Sequence, residues 1–187
     1  KWFADGTLNV SANCLDRHLA ERGDQLAIIW EGDDPKDHQE ITYRGKVRHS
    51  YRELRQRIGR LASMLAGLGV EAGNTVAMMD WDSHRYLECM FAIPMIGAVI
   101  HTINVRLSPE QILYTMNHAE DRFVLVNSEF VPLYKGIEAQ LTTVEKTILL
   151  TDGAEKSAEL PNLVGEYETL LAAASAKYDF AEFDENS

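Results

Sequence analysis

The sequence has little cysteine and too little positive charge for several classes of protein. Its 187 residues include two cysteines, Cys14 and Cys89, too few for a disulfide framework or a four-ligand zinc site. We interpret both as small packing residues and expect a reducing, cytoplasmic compartment. Lys and Arg number 18 against 29 Asp and Glu, which gives a formal net charge of -11. This negative charge disfavours binding to a phosphate backbone, so we expect no nucleic-acid partner.

Long uninterrupted apolar runs are absent as well. The best candidate for a membrane span, residues 86–105, contains a glutamate, a proline, a glycine, a histidine and an asparagine. A bilayer span of about 20 residues tolerates few such groups, so we predict no transmembrane segment. No secretory signal opens the chain, and because it begins with Lys1 we expect that this is not the native start.

Self-sufficient catalytic motifs are also missing. The twelve glycines are scattered, and neither G-x-G-x-x-G nor G-x-x-x-x-G-K-S/T occurs, so the sequence has no recognisable phosphate loop. It has no G-x-S-x-G elbow, no H-E-x-x-H and no C-x-x-C. We therefore predict no catalytic residue and no metal ligand within these 187 residues.

The sequence does contain an alternation of strand and helix patterns. Ser50 and Glu53 fit a capping box, and leucine or isoleucine then recurs at intervals of three and four as far as Leu68, which predicts a helix. Apolar strand candidates follow, separated by helical stretches of the length that crossovers between parallel strands require. We predict an α/β fold, part of a doubly wound, mostly parallel sheet with crossover helices. The predicted strands are 76–79, 98–102, 123–126 and 147–150.

We divide the chain into an N-terminal helix, strand and hairpin segment, residues 1–49, and a βα-repeat subdomain, residues 50–187, which stops before a phosphate-loop motif. The first part should hold a helix ended by Gly23 and a strand in QLAIIWEG. The second should close with a weak helix and an acidic tail, KYDFAEFDENS, without apolar period. The remaining predicted elements are a helix over 12–22, extended pieces at 40–43 and 46–49 around a turn at 44–45, and the weak helix over 163–174.

The apolar run at residues 86–105 resolves into elements of a soluble fold. We predict a buried helix from Ser83 to about Pro94, a turn at Gly97 and a fully buried strand over 98–102. The letters SPEQ at 108–111 then start the next helix, because they place Ser108 as its cap, a proline at the first helical position and a glutamine that completes a capping box.

Polar side chains follow two predicted strands at their carboxyl ends, where open α/β sheets bind ligands. For each one a structural role competes with a functional one. Asp82 and Ser83 are favoured as helix caps, and His101 as a hydrogen-bonded core histidine. Arg106, in a connecting loop, is equally a solvated charge or an anion clamp. The polar residues are Asp80, Asp82, His84 and Arg85 after the first strand, and His101, Asn104 and Arg106 after the next.

Two long phrases, HSYRELRQRIGRLASMLAGLGVEAGNTVAMM and RYLECMFAIPMIGAVIHTINVRLSPEQILYTMNHAEDRFVLVNSE, carry an ordered pattern. A helix start of the type S/T-Y-x-E-L precedes G-A-V, a loop and S-P-E. The pattern resembles that of the AMP-forming acyl-CoA synthetases of the adenylating-enzyme superfamily. Residues 44–187 resemble the medium-chain and long-chain fatty acid branch, whereas residues 1–43 resemble acetyl-CoA synthetases. A fused or engineered junction near 42–49 would explain the mixture, because TYR at 42–44 and SYR at 50–52 are similar helix-start phrases; a hairpin that repeats similar letters is the alternative.

The resemblance implies an ATP-dependent, AMP-forming ligase that joins a medium-chain or long-chain fatty acid, or another carboxylic acid, to coenzyme A through an acyl-adenylate, with ATP and Mg²⁺. The family's phosphate loop would begin shortly after FDENS, so we interpret the chain as an N-terminal fragment that is inactive alone and binds no cofactor tightly. Arg106 and Lys135 match places where short-chain relatives approach coenzyme A, although those relatives have glycine and arginine there. Pro132 stands where a second arginine would be expected.

Two other interpretations compete with a ligase. The alternation of strands and helices also fits a stand-alone flavodoxin-like binding or regulatory module, which leaves the ordered phrases unexplained. An engineered fusion fragment is the third possibility. In the ligase interpretation, part of the cover that the apolar strands need on both faces of the sheet would come from sequence after Ser187. We therefore expect this fragment to expose an apolar surface and at least one unpaired edge, and to self-associate, whereas a monomer would favour the stand-alone module.

Overall fold

A small antiparallel layer lies at the start of the chain. The computed structural model describes residues 5–31, 46–151 and 159–184. Strand β2 pairs antiparallel with β3, and Ile29 lies opposite Arg48. The elements here are β1 (Thr7–Leu8), α1 (Val10–Cys14), a 3₁₀ turn (Asp16–His18), α2 (Leu19–Arg22), β2 (Leu26–Glu31) and β3 (Lys46–Ser50).

The predictions for this layer are confirmed only in part. The single helix predicted over 12–22 is wrong, because Leu15 leaves the helical region (φ -124°, ψ -60°) and buries its side chain between two short helices. The end at Gly23 and the strand after it are confirmed. The piece predicted at 46–49 is extended, and its partner is β2, while the predicted strand at 40–43 and turn at 44–45 lie outside the described residues. Cys89 is buried as expected, but Cys14 is exposed, so its predicted packing role is wrong.

Helix α3 (Tyr51–Gly67) begins at the predicted capping box. Ser50 Oγ accepts a hydrogen bond from the Glu53 backbone N–H at 3.3 Å, and Glu53 Oε2 accepts one from the Ser50 N–H at 2.9 Å. These two bonds satisfy donors that the first turn of a helix otherwise leaves free. The helix then buries the predicted apolar stripe, which includes Leu54, Ile58 and Leu61.

The main sheet has five parallel strands in the order β5-β4-β6-β7-β8. From β4 the chain passes to β5 on one side and then returns past β4 to β6 on the other, so the connections diverge between β4 and β6. The prediction of a mostly parallel sheet is confirmed. Its elements are β4 (Thr75–Met79), α4 (His84–Met95), β5 (Val99–Thr102), α5 (Pro109–His118), β6 (Asp121–Asn127), α6 (Val131–Ile137), β7 (Lys146–Leu150), β8 (Leu163–Glu166) and α7 (Tyr167–Ala173).

Helices cover both faces of this sheet, as a doubly wound fold requires. Alternate residues of β4 point to opposite sides: Val76 and Met78 join one apolar cluster, whereas Ala77 and Met79 join the other. We call the side packed by α3, α4 and α7 the α3 face and the side packed by α5 and α6 the α5 face. Within the described residues no helix is long and apolar enough to cross a membrane.

The two edge strands correct two predictions. Strand β5 was expected to be fully buried, but among the described residues it pairs with β4 alone, at the edge of the sheet, and Val99 is 53% exposed. The helix predicted over 163–174 is in fact strand β8 followed by helix α7, because Leu163 extends alongside Thr147 of β7. The Glu166 carboxylate then caps α7 by accepting a hydrogen bond from the Thr169 N–H at 2.9 Å.

The acidic tail was predicted to lack an apolar period, and this is wrong. Tyr178 and Phe180 are both half-buried against the α3 face, and the charged residue between them, Asp179, is exposed. The spacing of two residues is that of an extended chain lying on a surface. A final short strand, β9 (Phe183–Asp184), pairs antiparallel with β1.

Candidate functional site at the carboxyl edge of the sheet

The point where the connections diverge, between β4 and β6, is where open α/β sheets bind ligands. Asp80 directly follows β4, and its side chain is 5% exposed. The Asn127 Nδ2 group, at the end of β6, donates a hydrogen bond to Asp80 Oδ1 at 2.6 Å, and the Ser83 hydroxyl donates one to Oδ2. Burial raises the pKa of Asp80, and these two hydrogen bonds partly offset the effect. Asp80 therefore ties β4, β6 and the start of α4 together.

The start of α4 confirms one of the predicted structural roles. Ser83 is the helix cap, and its Oγ accepts a hydrogen bond from the Tyr86 N–H at 3.1 Å. Asp82 lies one residue before the cap and is exposed. The capping preference of short polar side chains therefore predicts the residue type but does not choose between two adjacent candidates.

An aromatic surface lies beside this point, and sequence reasoning missed it. Trp81 is 45% exposed, its Nε1–H donates to Glu129 Oε2 at 2.8 Å, and its ring centroid lies 4.8 Å from that of Phe130. An indole held in this way offers an apolar face to a flat group. The available signal was a tryptophan in a polar loop directly after a buried strand.

A second group of charged side chains lies further inside the fold, where α4 and α7 meet α3. Glu88 is completely buried, yet it accepts hydrogen bonds from Arg57 Nε at 2.6 Å and from the Tyr167 hydroxyl at 2.7 Å. Glu168 accepts hydrogen bonds from Arg57 at 2.9 Å and from Arg85 at 3.1 Å. We call Arg57, Arg85, Glu88, Tyr167 and Glu168 the buried ion network, after its fully buried member Glu88; the side chains of Arg57 and Glu168, on its outer side, are 22% and 37% exposed. It joins α3, α4 and α7.

The network also reaches the end of β7 and shifts the acidity of its members. Arg85 Nη2 donates to the carbonyl oxygen of Thr151, directly after β7, at 3.0 Å. Burial opposes ionisation of Glu168, but hydrogen bonds from His84, Arg57 and Arg85 outweigh it and hold the pKa of Glu168 well below its usual value. Burial likewise opposes the charge on Arg57, but its two carboxylate partners raise the pKa of Arg57 above its usual value.

The sequence correctly predicts that His84 and Arg85 lie at this edge. It does not predict that Arg57, Glu88 and Glu168 interact there. Glu88 is the one charged residue in the stretch 86–95 of α4, and this is the one signal the sequence offers, because buried carboxylates need partners. Nothing local identifies Arg57 and Tyr167 as those partners.

Arg106 and Lys135, the predicted contacts to coenzyme A, are both exposed. Arg106 lies in the loop after β5, where its backbone N–H donates to Asn104 Oδ1 at 3.1 Å. Lys135 lies on α6, which packs on the same face of the sheet as α5. Neither side chain has a hydrogen-bond or ion-pair partner among the described residues, so both charges are available to an anion.

His101 is confirmed as a hydrogen-bonded histidine. Its Nδ1 lies 2.8 Å from Asp121 Oδ2, and Asp121 is fully buried at the start of β6. Burial raises the pKa of Asp121, and His101 partly offsets the effect. Across the ranges 5–31, 46–151 and 159–184, no group of three or more His, Cys, Asp or Glu side chains is arranged to hold a metal ion.

Comparison with known proteins decides the family. Residues 15–181 match the family described as "AMP-binding enzyme". The chain belongs to the AMP-binding enzyme family. Among curated AMP-binding relatives, Acetyl-coenzyme A synthetase 1 of Pseudomonas aeruginosa is 42% identical over 151 residues, which are 78% of this chain and 22% of that protein. The 3-methylmercaptopropionyl-CoA ligase of Ruegeria pomeroyi is 38% identical over 128 residues, 68% of this chain and 24% of that protein.

A solved structure supports the fold of this chain independently. The crystal structure of the anthranilate CoA ligase AuaEII in complex with anthranoyl-AMP superposes with a TM-score of 0.77 at 22% identity, covering 94% of this chain and 30% of that one. Identity at this level shows the fold alone. The chain spans about a quarter of the length of the curated relatives described above.

Proposed function

We propose that this sequence is part of an ATP-dependent, AMP-forming ligase that joins a carboxylic acid to coenzyme A. The observation that carries the proposal is the 42% identity to an acetyl-CoA synthetase over 151 residues, within a family match that runs from residue 15 to residue 181. The edge geometry supports it, because the divergence of the connections between β4 and β6 places Trp81 and the polar residues around it where such sheets take ligands.

The proposed reaction has two steps. The acid carboxylate attacks the α-phosphorus of ATP, which forms an acyl-adenylate and releases pyrophosphate. The thiol of coenzyme A then attacks the acyl carbon, which forms the thioester and releases AMP. ATP and Mg²⁺ enter through the family alone, and the metal would stabilise charge on the phosphates. This chain's own contribution is the scaffold, together with Arg106 and Lys135 as cations for the phosphates of coenzyme A.

Two acids compete for the substrate. The resemblance of residues 44–187 to the fatty acid branch favours a medium or long chain. The relatives are named for acetate and for 3-methylmercaptopropionate, which favours a short acid. The test is acid-dependent exchange of pyrophosphate into ATP by the full-length product of the gene, with acetate, octanoate and palmitate compared at equal concentration. The acid that gives the fastest exchange identifies the branch, and no exchange with any acid overturns the ligase proposal.

The assignment of Arg106 and Lys135 has its own test, because pyrophosphate exchange does not involve coenzyme A. Arg106→Ala and Lys135→Ala should each raise the KM for coenzyme A about tenfold, the loss expected for one charge-assisted contact, and leave exchange unchanged. Arg22→Ala, which removes another exposed cation, is the matched control and should alter neither quantity. Equal effects of all three variants would reject the assignment.

The 187 residues alone should not catalyse exchange, because the sequence holds no phosphate-loop motif. Exchange above a no-protein control would contradict this. The flavodoxin-like module remains a second hypothesis for these residues, since the strand order β5-β4-β6-β7-β8 is that of flavodoxin-like sheets. Self-association and a cytoplasmic location stay predictions. The exposed edge at β5 supports the first of them.

A further inference from the structure

An extended segment, residues 174–184, lies across the outside of α3 and the end of α4, and we call it the strap. Its side chains alternate over the first seven residues. Ala176, Tyr178 and Phe180 are half-buried, whereas Lys177 and Asp179 are exposed. Apart from the two residues of β9, the strap has no strand partner in the described part of the chain. Its attachment therefore depends on side chains of the elements beneath it.

Two glycines allow the strap to lie close against α3 and the end of α4. A Cβ on Gly59, in the middle of α3, would overlap the carbonyl oxygen of Ala176. Gly97, at the end of α4, has φ +79°, and a Cβ there would lie 2.8 Å from the ring of Phe183. Any residue other than glycine would have a Cβ that displaces the strap at both places. Gly67, on the same helix as Gly59, has nothing within 4 Å of a Cβ.

Polar groups of α3 bind the strap's backbone on both sides of Ala176. Arg60 Nη1 donates to the carbonyl oxygen of Ala174 at 2.5 Å, and the Ser63 hydroxyl donates to that of Lys177 at 3.3 Å. The Arg55 guanidinium lies 4.6 Å from the ring centroid of Phe180, a cation–π arrangement. A basic helix surface thus meets an acidic, aromatic segment.

The far end of the strap is joined to the beginning of the chain. β1 pairs with β9, with Leu8 opposite Phe183. The buried side chain of Asn9 donates to the carbonyl oxygen of Ala181 at 3.0 Å and to that of Met95, in α4, at 3.4 Å. One asparagine therefore connects the N-terminal segment, the strap and α4.

We propose that the strap and β1 form a clasp that opens as one unit while the five-stranded sheet stays folded. Segments with few buried apolar side chains and mainly surface hydrogen bonds open at low free energy, whereas core strands open only with global unfolding. The strap's inward residues are only half-buried, whereas β6 beneath α3 is almost wholly buried. Opening releases both ends of the described chain together and uncovers the row of Arg55, Gly59 and Ser63 on α3.

Trypsin cleavage after Lys177 reports opening in the native chain. Gly59→Ala should speed this cleavage at least about tenfold, because the added Cβ displaces Ala176, without lowering the urea midpoint for unfolding of the sheet. Gly67→Ala, the matched control on the same helix, should leave the cleavage rate unchanged. Equal cleavage rates in the two variants would overturn the proposal.

Asn9→Ala tests whether the two ends open together. It should also speed cleavage after Lys177, although residue 9 lies far from the cleavage site in sequence. Hydrogen exchange of the unmodified chain gives a readout that needs no variant: peptides covering 5–9 and 174–184 should exchange at one shared rate, well before the peptide covering 121–127. Exchange of 174–184 only with the core, or at a rate unrelated to that of 5–9, would overturn the clasp.

Discussion

The α3 face and the α5 face of the sheet are closed by different chemistry. Beneath α3, α4 and α7 the apolar layer contains the buried ion network, with Glu88 fully enclosed and bonded to Arg57 and Tyr167. Beneath α5 and α6 the interior is almost entirely aliphatic and aromatic, and its buried polar contacts are local ones such as Tyr134 to Thr147 at 3.2 Å. Removing a partner of a buried charge costs more than removing a methyl group, so the faces should respond differently to mutation.

The difference also concerns which elements each face connects. On the α3 face, hydrogen bonds to Glu88 and Glu168 come from residues up to 111 positions away. On the α5 face, α5 and α6 pack over neighbouring strands that precede or follow them in the chain. The α3 face therefore depends on the assembly of distant segments, and the α5 face on consecutive ones.

The largest expected effect is that of Glu88→Ala. The substitution leaves the Arg57 charge with one carboxylate partner and the Tyr167 hydroxyl without its acceptor. We expect a loss of about 3–5 kcal/mol in the free energy of unfolding, measured by urea denaturation. Glu145→Ala is the control, because Glu145 pairs with Arg122 at the surface at 2.8 Å and should cost at most about 1 kcal/mol. Equal losses of unfolding free energy in the two variants would mean that the network stabilises the α3 face no more than a surface ion pair does.

The pH dependence of stability should follow Glu168. Its pKa in the folded protein lies below the usual 4.5, so its ionised form stabilises the fold above that pH, and the contribution is lost as the pH falls through the folded value. Burial raises the pKa values of Asp80 and Asp121. Their contributions have the opposite sign, and stability falls as the pH rises through the interval above 3.8.

Comparing Glu168→Gln with the unmodified chain isolates the contribution that the Glu168 charge makes to stability. The difference between their urea midpoints should be largest near pH 7 and should shrink below pH 4.5. A difference that stays constant from about pH 7 to pH 3 would contradict the role of Glu168 as an ionised member of the network.

Whether an interaction on either face can be predicted from the sequence depends on how far apart its residues lie in the chain. Both capping boxes, at Ser50 and Ser108, are contained in four consecutive residues, and both were predicted correctly. The partners of Glu88 are 31 and 79 residues distant, and no periodicity identifies them. The buried ion network therefore could not be predicted, although the helix that carries Glu88 was.

The edges of the sheet were mispredicted for a related reason. An apolar run such as AVIHT indicates a strand but not its neighbours. Within the ranges that the structure describes, β5 has no strand on its second side, because the chain crosses back past β4 to form β6. Strand order is a property of the connections and not of the strand. The same limit applies to Asp80, whose position at a carboxyl edge was predicted, but whose bond to Asn127, 47 residues on, was not.

The smallest effects should be equal on the two faces. Ser108→Ala removes the acceptor for the Gln111 N–H at 3.3 Å, and Ser50→Ala removes the equivalent acceptor for Glu53. Each should lower the free energy of unfolding by about 1 kcal/mol, whereas glycine at either position should cost only a few tenths. Because the caps lie outside both interiors, equal losses would confine the difference between the faces to what each one buries.

Ser108→Ala should also leave coenzyme A affinity unchanged in the full-length protein, although Arg106 lies two residues away. A changed affinity with an unchanged melting temperature would show that Ser108 acts on the ligand and not on the helix.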